Sequence, residues 1–230
     1  MARATTGTMA TPAPGVAVRR GLATRMRPEL IRTNQSVGRV GTMSDITAVG
    51  YLIGSGSMTL GVEAAGVRVT QVLETKLYGR NAKTWNLNRP DMPVGILDLD
   101  HRIPVPTEPN TSLVFGNPPC GGVSNMGNAA LGCYNPTNAC LRHWIRMAAS
   151  ARPPCILMES GFQLARPKFE PLLADCQQVL DEAGYWYWCW EFYSNQIGCP
   201  QTRRRMFLCA SLEEPRPELV ALNDLPSVDA

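Results

Sequence analysis

The sequence predicts an α/β fold, a mostly parallel sheet covered by helices on both faces. Short apolar runs alternate with helical patterns along most of the chain. Short apolar strands between helices imply a sheet covered on both faces. Three chemically distinctive segments follow predicted strand ends, where ligands bind in such sheets.

The elements follow in order. Residues 1–43 are rich in Ala, Thr, Gly, Pro and Arg and lack periodicity, so they read as a flexible basic arm. Met43 precedes the first strand-like run and could serve as an alternative start. Ala48 to Ile53 reads as a strand ending in a Gly/Ser turn, and Met58 to Ala65 as a helix closed by Gly66. Val67 to Leu73, Ile96 to Leu99 and Ser112 to Phe115 read as strands. Ala139 to Ala149 has amphipathic spacing, Cys155 to Met158 is a strand flanked by Pro153 and Pro154, and Phe169 to Ala183 is a helix ended by Gly184. Trp186 to Tyr193 and Arg205 to Ala210 are the last strands. Residues 44–212 then form one domain and 213–230 a tail.

Composition narrows the function classes. At 230 residues with 44% hydrophobic content, the chain can bury one sizeable core. The net charge of +3 permits nucleic-acid binding without arguing for it. No apolar run reaches membrane-spanning length, and Arg19 and Arg20 are not followed by a secretory apolar segment. The expectation is a cytoplasmic protein of a bacterium or phage-infected host, with no membrane partner. Eight cysteines include no C-x-x-C pair and only two histidines accompany them, so no metal site is expected. A reducing compartment makes most of the thiols small buried hydrophobes.

Four segments carry chemistry. Gly54-Ser-Gly-Ser57 lies between a strand and a helix, and Gly54 and Gly56 allow a tight turn with close ligand approach. Glu74 follows Gly54 by 20 residues at a strand end, which suits a ribose diol. Alone, this is equally a plain strand–turn–helix. In Asn117-Pro-Pro-Cys-Gly-Gly-Val-Ser124 two prolines stiffen the approach to Cys120, a plausible nucleophile. Glu159 follows a buried strand, where desolvation raises a carboxyl towards proton donation. In Gln201-Thr-Arg-Arg-Arg205 an extended segment puts Arg203 and Arg205 on one face, suited to a phosphate or base carbonyl. Taken singly, the last two segments read better as a helix-start Glu and a solvated basic patch.

Together, in this order, the four segments resemble the cytosine-C5 methyltransferases. The intervals of 39 residues from Cys120 to Glu159 and 42 from Glu159 to Gln201 are similar to that family's. The resemblance spans Ala48 to Ala210. It implies a Rossmann-like fold that binds S-adenosylmethionine (SAM), and methyl transfer to C5 of cytosine in DNA. Cys120 would attack C6, Glu159 would engage N3 and the exocyclic amine, Arg205 would meet the base carbonyl and Arg203 would support the site. Gly54, Gly56, Glu74 and Asp98 would hold the cofactor, with Asp98 preferred over Asp100 for the adenine amine. Leu52 occupies the place of an aromatic residue against that ring. Ser124 and Gln201 stand at substrate-binding positions.

The departures suggest a divergent, phage-like member. Gly50-Tyr-Leu52 replaces Asp-Leu-Phe, Cys-Gly-Gly-Val-Ser replaces Cys-Gln-Gly-Phe-Ser, and Ser160-Gly161 replaces Asn-Val after the glutamate. Only 25 residues follow Arg205, so the expectation is weak sequence specificity or target recognition supplied by a second polypeptide. A catalytically silent DNA-binding homologue, and an RNA methyltransferase, remain alternatives to the DNA enzyme.

Overall fold

The computed structural model describes residues 17–19, 46–123, 129–197 and 199–214. The order is β1 (Ala17–Arg19), β2 (Thr47–Tyr51), α1 (Ser57–Ala64), β3 (Arg68–Glu74), α2 (Gly79–Asn88), β4 (Gly95–Ile96) and β5 (Thr111–Gly116). Then come α3 (Ala139–Ser150), β6 (Cys155–Gly161), α4 (Glu170–Glu182), β7 (Trp186–Tyr193) and β8 (Arg204–Ser211). These strands form one sheet in the order β1-β7-β8-β6-β5-β2-β3-β4. The β4-β3-β2-β5-β6 part is parallel, whereas β8 runs antiparallel between β6 and β7.

Two apolar layers sandwich this sheet. On one side Val62 of α1 and Trp85 of α2 pack on Ala48, Val69, Val72 and Phe115. On the other, Trp144 and Ile145 of α3 and Leu172, Cys176 and Leu180 of α4 pack on Val49, Val114, Met158 and Leu208. The apolar face of α3 is continuous, with Leu141, Trp144, Ile145 and Ala148 buried at helical spacing.

Several elements differ from the sequence expectation. Helix α2 was not expected, because only Ala82 and Trp85 of its ten residues are buried and it has no apolar stripe. The third parallel strand shrinks to Gly95–Ile96 at the sheet edge. Strand β6 continues through Gly161, because β8 pairs with it as far as Gly161↔Arg205. Glu159 therefore lies inside a strand. Ala17–Arg19, expected in the irregular arm, add an antiparallel strand on β7. Of the eight free thiols, only Cys133 and Cys176 are buried, and Cys155 is exposed.

The chain turns from β2 outwards to β3 and β4, and from β5 to β6 and β8. The switch point thus lies between β2 and β5, where parallel sheets open a crevice beyond their carboxyl ends. It is tightly made: Trp144 Nε1 donates to the Tyr51 carbonyl at 2.8 Å, and Asn117 N to the Leu52 carbonyl at 3.0 Å. Gly116 permits this approach, since a Cβ there would stand 1.9 Å from the Tyr51 oxygen.

Candidate active site

The crevice has two halves. The first is the turn after β2. Leu52 adopts φ 58°, Gly54 φ 61° and Gly56 φ 98°, so the backbone doubles back before α1 starts. Gly56 caps α1 without a side-chain hydrogen bond. A Cβ at Gly56 would meet the Trp85 ring at 2.2 Å, so only glycine fits.

Glu74, at the end of β3, reaches this turn. It is 1% exposed, and its carboxylate accepts from Gly54 N at 3.2 Å and Thr75 N at 2.9 Å. Burial raises its pKa from 4.5 to about 7, against the pull of those two amides. A buried acid with two fixed donors behind it, beside a glycine turn, fits the diol of a nucleoside. Asp98 lies just beyond β4, exposed and 3.6 Å from Lys76 Nζ. The Tyr51 hydroxyl is raised by burial and then by the charges of Glu74 and Asp98, so all three groups share one region. Leu52 is 1% exposed and packs in the α3 layer of the core.

The second half gathers residues from β5, β6 and β8. Asn117 Nδ2 donates to Glu159 Oε2 at 2.9 Å, and Arg205 Nε lies 2.6 Å from Glu159 Oε1. Both charged side chains are mostly buried, at 18% and 24% exposure. Burial raises the Glu159 carboxyl, while Asn117, Arg203 and the contact with Arg205 pull the other way. Cys120 is half-buried in a turn closed by Val123 N on its carbonyl at 2.9 Å. Burial pushes its thiol up and Glu159 adds to this; the Gly161 amide and Arg203 favour the thiolate. A Cβ on Gly161 would lie 3.9 Å from Cys120 Sγ, so β6 runs directly beneath the thiol.

Of the expected site residues, Cys120, Glu159 and Arg205 come together here, with the exposed Arg203 acting on Cys120 and Glu159 through its charge, and Gly54, Gly56 and Glu74 meet in the first half. Gln201 is exposed on the segment leading into β8. Ser124 lies outside the described residues. The sequence reading missed Asn117 as a partner of Glu159. Its place three residues before Cys120 in the same segment was the available signal. It also missed Ser194, whose N–H and Oγ both bind the Arg203 carbonyl, at 2.8 and 2.9 Å.

Residues 50–227 match the family model for C-5 cytosine-specific DNA methylases. The chain belongs to that family. Members use SAM as methyl donor. No curated protein matches the chain in sequence. Among solved structures, it is similar to a chain described as a DNA modification methyltransferase encoded within a prophage of E. coli, with TM-score 0.64, 17% identity, and 80% of this chain and 53% of that one covered. The methyltransferase EhMeth of Entamoeba histolytica gives TM-score 0.59 at 17% identity, covering 80% and 57%. The S. pombe Dnmt2 methyltransferase gives 0.54 at 17%, covering 74% and 50%. At that identity the likeness is one of fold, and the chain spans about half the length of these structures. The Rossmann-like sheet expected from the sequence is therefore present. Among the described residues no helix is long and apolar enough to cross a membrane.

Proposed function

We propose that this chain carries the chemistry of methyl transfer from SAM to C5 of cytosine in DNA, by way of a covalent Cys120–C6 adduct. The observation that carries the reading is one cluster: Cys120 over Gly161, with Glu159 held between Asn117 and Arg205, across the switch-point crevice from Glu74. Bound SAM supplies a methyl group activated on a sulfonium; Glu74 and the 54–57 turn would hold its nucleoside end.

C5 of cytosine is a poor nucleophile. Bonding of the Cys120 thiolate to C6 makes C5 enamine-like. A protonated Glu159 gives its proton to N3 as the electrons move there, and burial shifts the carboxyl upwards, in the direction of that protonated form. Arg205 has Nε on Glu159 and Nη1 on the Arg204 carbonyl, and among the described residues nothing takes Nη2, which would meet the base carbonyl. After methylation a base removes the C5 proton, the C6–S bond breaks, Cys120 leaves as thiolate and N3 returns its proton to Glu159. A duplex target must first swing out of the stack, because the thiol lies inside a crevice.

The test is labelled SAM with duplex DNA, single-stranded DNA or tRNA, beside Cys120→Ser. Cys120-dependent labelling of duplex DNA is the expected result, and labelling of tRNA alone would move the substrate to RNA. Absence of Cys120-dependent labelling with every substrate overturns the enzyme reading.

A further inference from the structure

We propose that Glu191 is a positioning residue for the arginines of the site. It clamps Arg204 on one face of β8 and so holds Arg203 and Arg205 on the other. The proposal rests on the base-attack reading above. Strand β8 begins at Arg204, which pairs with Tyr193, and Arg205 pairs with Phe192 and Gly161. Alternation puts Arg205 on the face of Glu159 and Arg204 on the opposite face, with Glu191 and Tyr193.

On that face Glu191 forms an ion pair with Arg204 and lies 3.6 Å from Arg166. Both guanidiniums also lie over the Phe162 ring, that of Arg204 4.9 Å and that of Arg166 5.4 Å from its centroid. The Tyr193 ring stands 5.3 Å from Arg204. Arg204 is thus fixed by a carboxylate and two rings, in a site where it is 27% exposed and Glu191 23%. Arg203 lies one residue before the strand, tied through its carbonyl to Ser194.

Glu191 is the acid that faces Arg166 and Arg204, as Glu159 is the acid that faces Arg205 on the other side of the sheet. Without the Glu191 charge, Arg204 is repelled by Arg166 and by its neighbours Arg203 and Arg205. The first residues of β8 can then twist, and a twist at 204 carries Arg203 and Arg205 away from Cys120 and Glu159.

The test compares wild type, Glu191→Gln, Arg204→Met and the double variant, after melting curves. If Glu191→Gln alone fails to fold, the double variant, which removes both partners' charges, stands in for it. The first measurement is the rate of covalent adduct formation with a 5-fluorocytosine duplex in the presence of SAM. The second is the pH dependence of iodoacetamide alkylation of Cys120, read by peptide mass spectrometry. Expected is a fall in adduct rate on the order of ten- to a hundredfold for Glu191→Gln. The double variant should be little worse than Arg204→Met, because the two residues act as one unit. The alkylation curve should move to higher pH, as Arg203 no longer favours the thiolate. Simple removal of a negative charge would move that curve lower. A lower or unmoved curve therefore overturns the proposal. If wild type itself forms no adduct, the base-attack reading fails, and the alkylation curve still decides whether Glu191 places the arginines.

Discussion

Glu74→Gln separates the cost of a buried charge from its use. In the folded chain the carboxyl is 1% exposed and its pKa is about 7, against an ordinary 4.5. That difference makes the ionised form about 3 kcal/mol less stable in the folded chain, relative to the protonated form. Because the folded pKa is the higher one, the stabilisation is complete below pH 4.5 and is lost as pH rises through 7. Gln keeps the volume and cannot ionise, although its NH2 will face one of the two backbone amides, a pH-independent cost of about 1–3 kcal/mol. Between pH 5 and pH 8 the stability gap should therefore shift by about 2–3 kcal/mol in favour of the variant. Urea unfolding followed by tryptophan fluorescence at the two pH values measures it. A gap that stays constant would show that Glu74 is not a strained buried acid. The same carboxylate should then be useful: SAM binding should tighten as pH rises through 7, with proton release detectable by calorimetry in buffers of different ionisation enthalpy. Glu74→Gln should bind SAM weakly at every pH.

Other outcomes follow from the same geometry. Gly56→Ala imposes a positive φ on alanine and drives its Cβ into Trp85, whose Nε1 is held by the Met92 carbonyl at 2.6 Å; a loss of about 2–4 kcal/mol in thermal or urea unfolding is expected. Trp144→Phe leaves the Tyr51 carbonyl without its buried donor and should cost about 1–3 kcal/mol, measurable by urea unfolding, with weaker SAM binding because the switch point loosens. Asn117→Ala removes a hydrogen bond that holds the Glu159 carboxyl down, so its pKa should rise further, and the pH limit of adduct formation that follows Glu159 should move upwards.

Much of this architecture is local enough to be read from sequence. Strands such as Thr47–Tyr51 and helices such as Ala139–Ser150 carry their own burial pattern. The order of Cys120, Glu159 and Gln201–Arg205 was visible because each segment has a distinctive composition. Helix α2 was not visible, since its stability comes from Trp85 docking under Gly56 and against Met92, contacts far from its own pattern. The extension of β6 past Met158 was hidden for a similar reason. Ser160 and Gly161 have poor strand propensity, and antiparallel pairing with β8 is what keeps them extended.

The sequence by itself determined which groups are present: a cysteine in a stiff loop, a carboxyl on a buried strand, alternating arginines, and an acid one strand after a glycine turn. Only the tertiary structure decided how they meet. Glu159 faces Arg205 because β8 runs antiparallel beside β6 in one register, and Cys120 lies over Gly161 because β5 ends beside it. Glu74 becomes an acid of pKa about 7 because β3 delivers it into a closed turn. Residue identity sets the chemical possibilities. Register and burial set the distances and the dielectric, and those control which of the possibilities is energetically available.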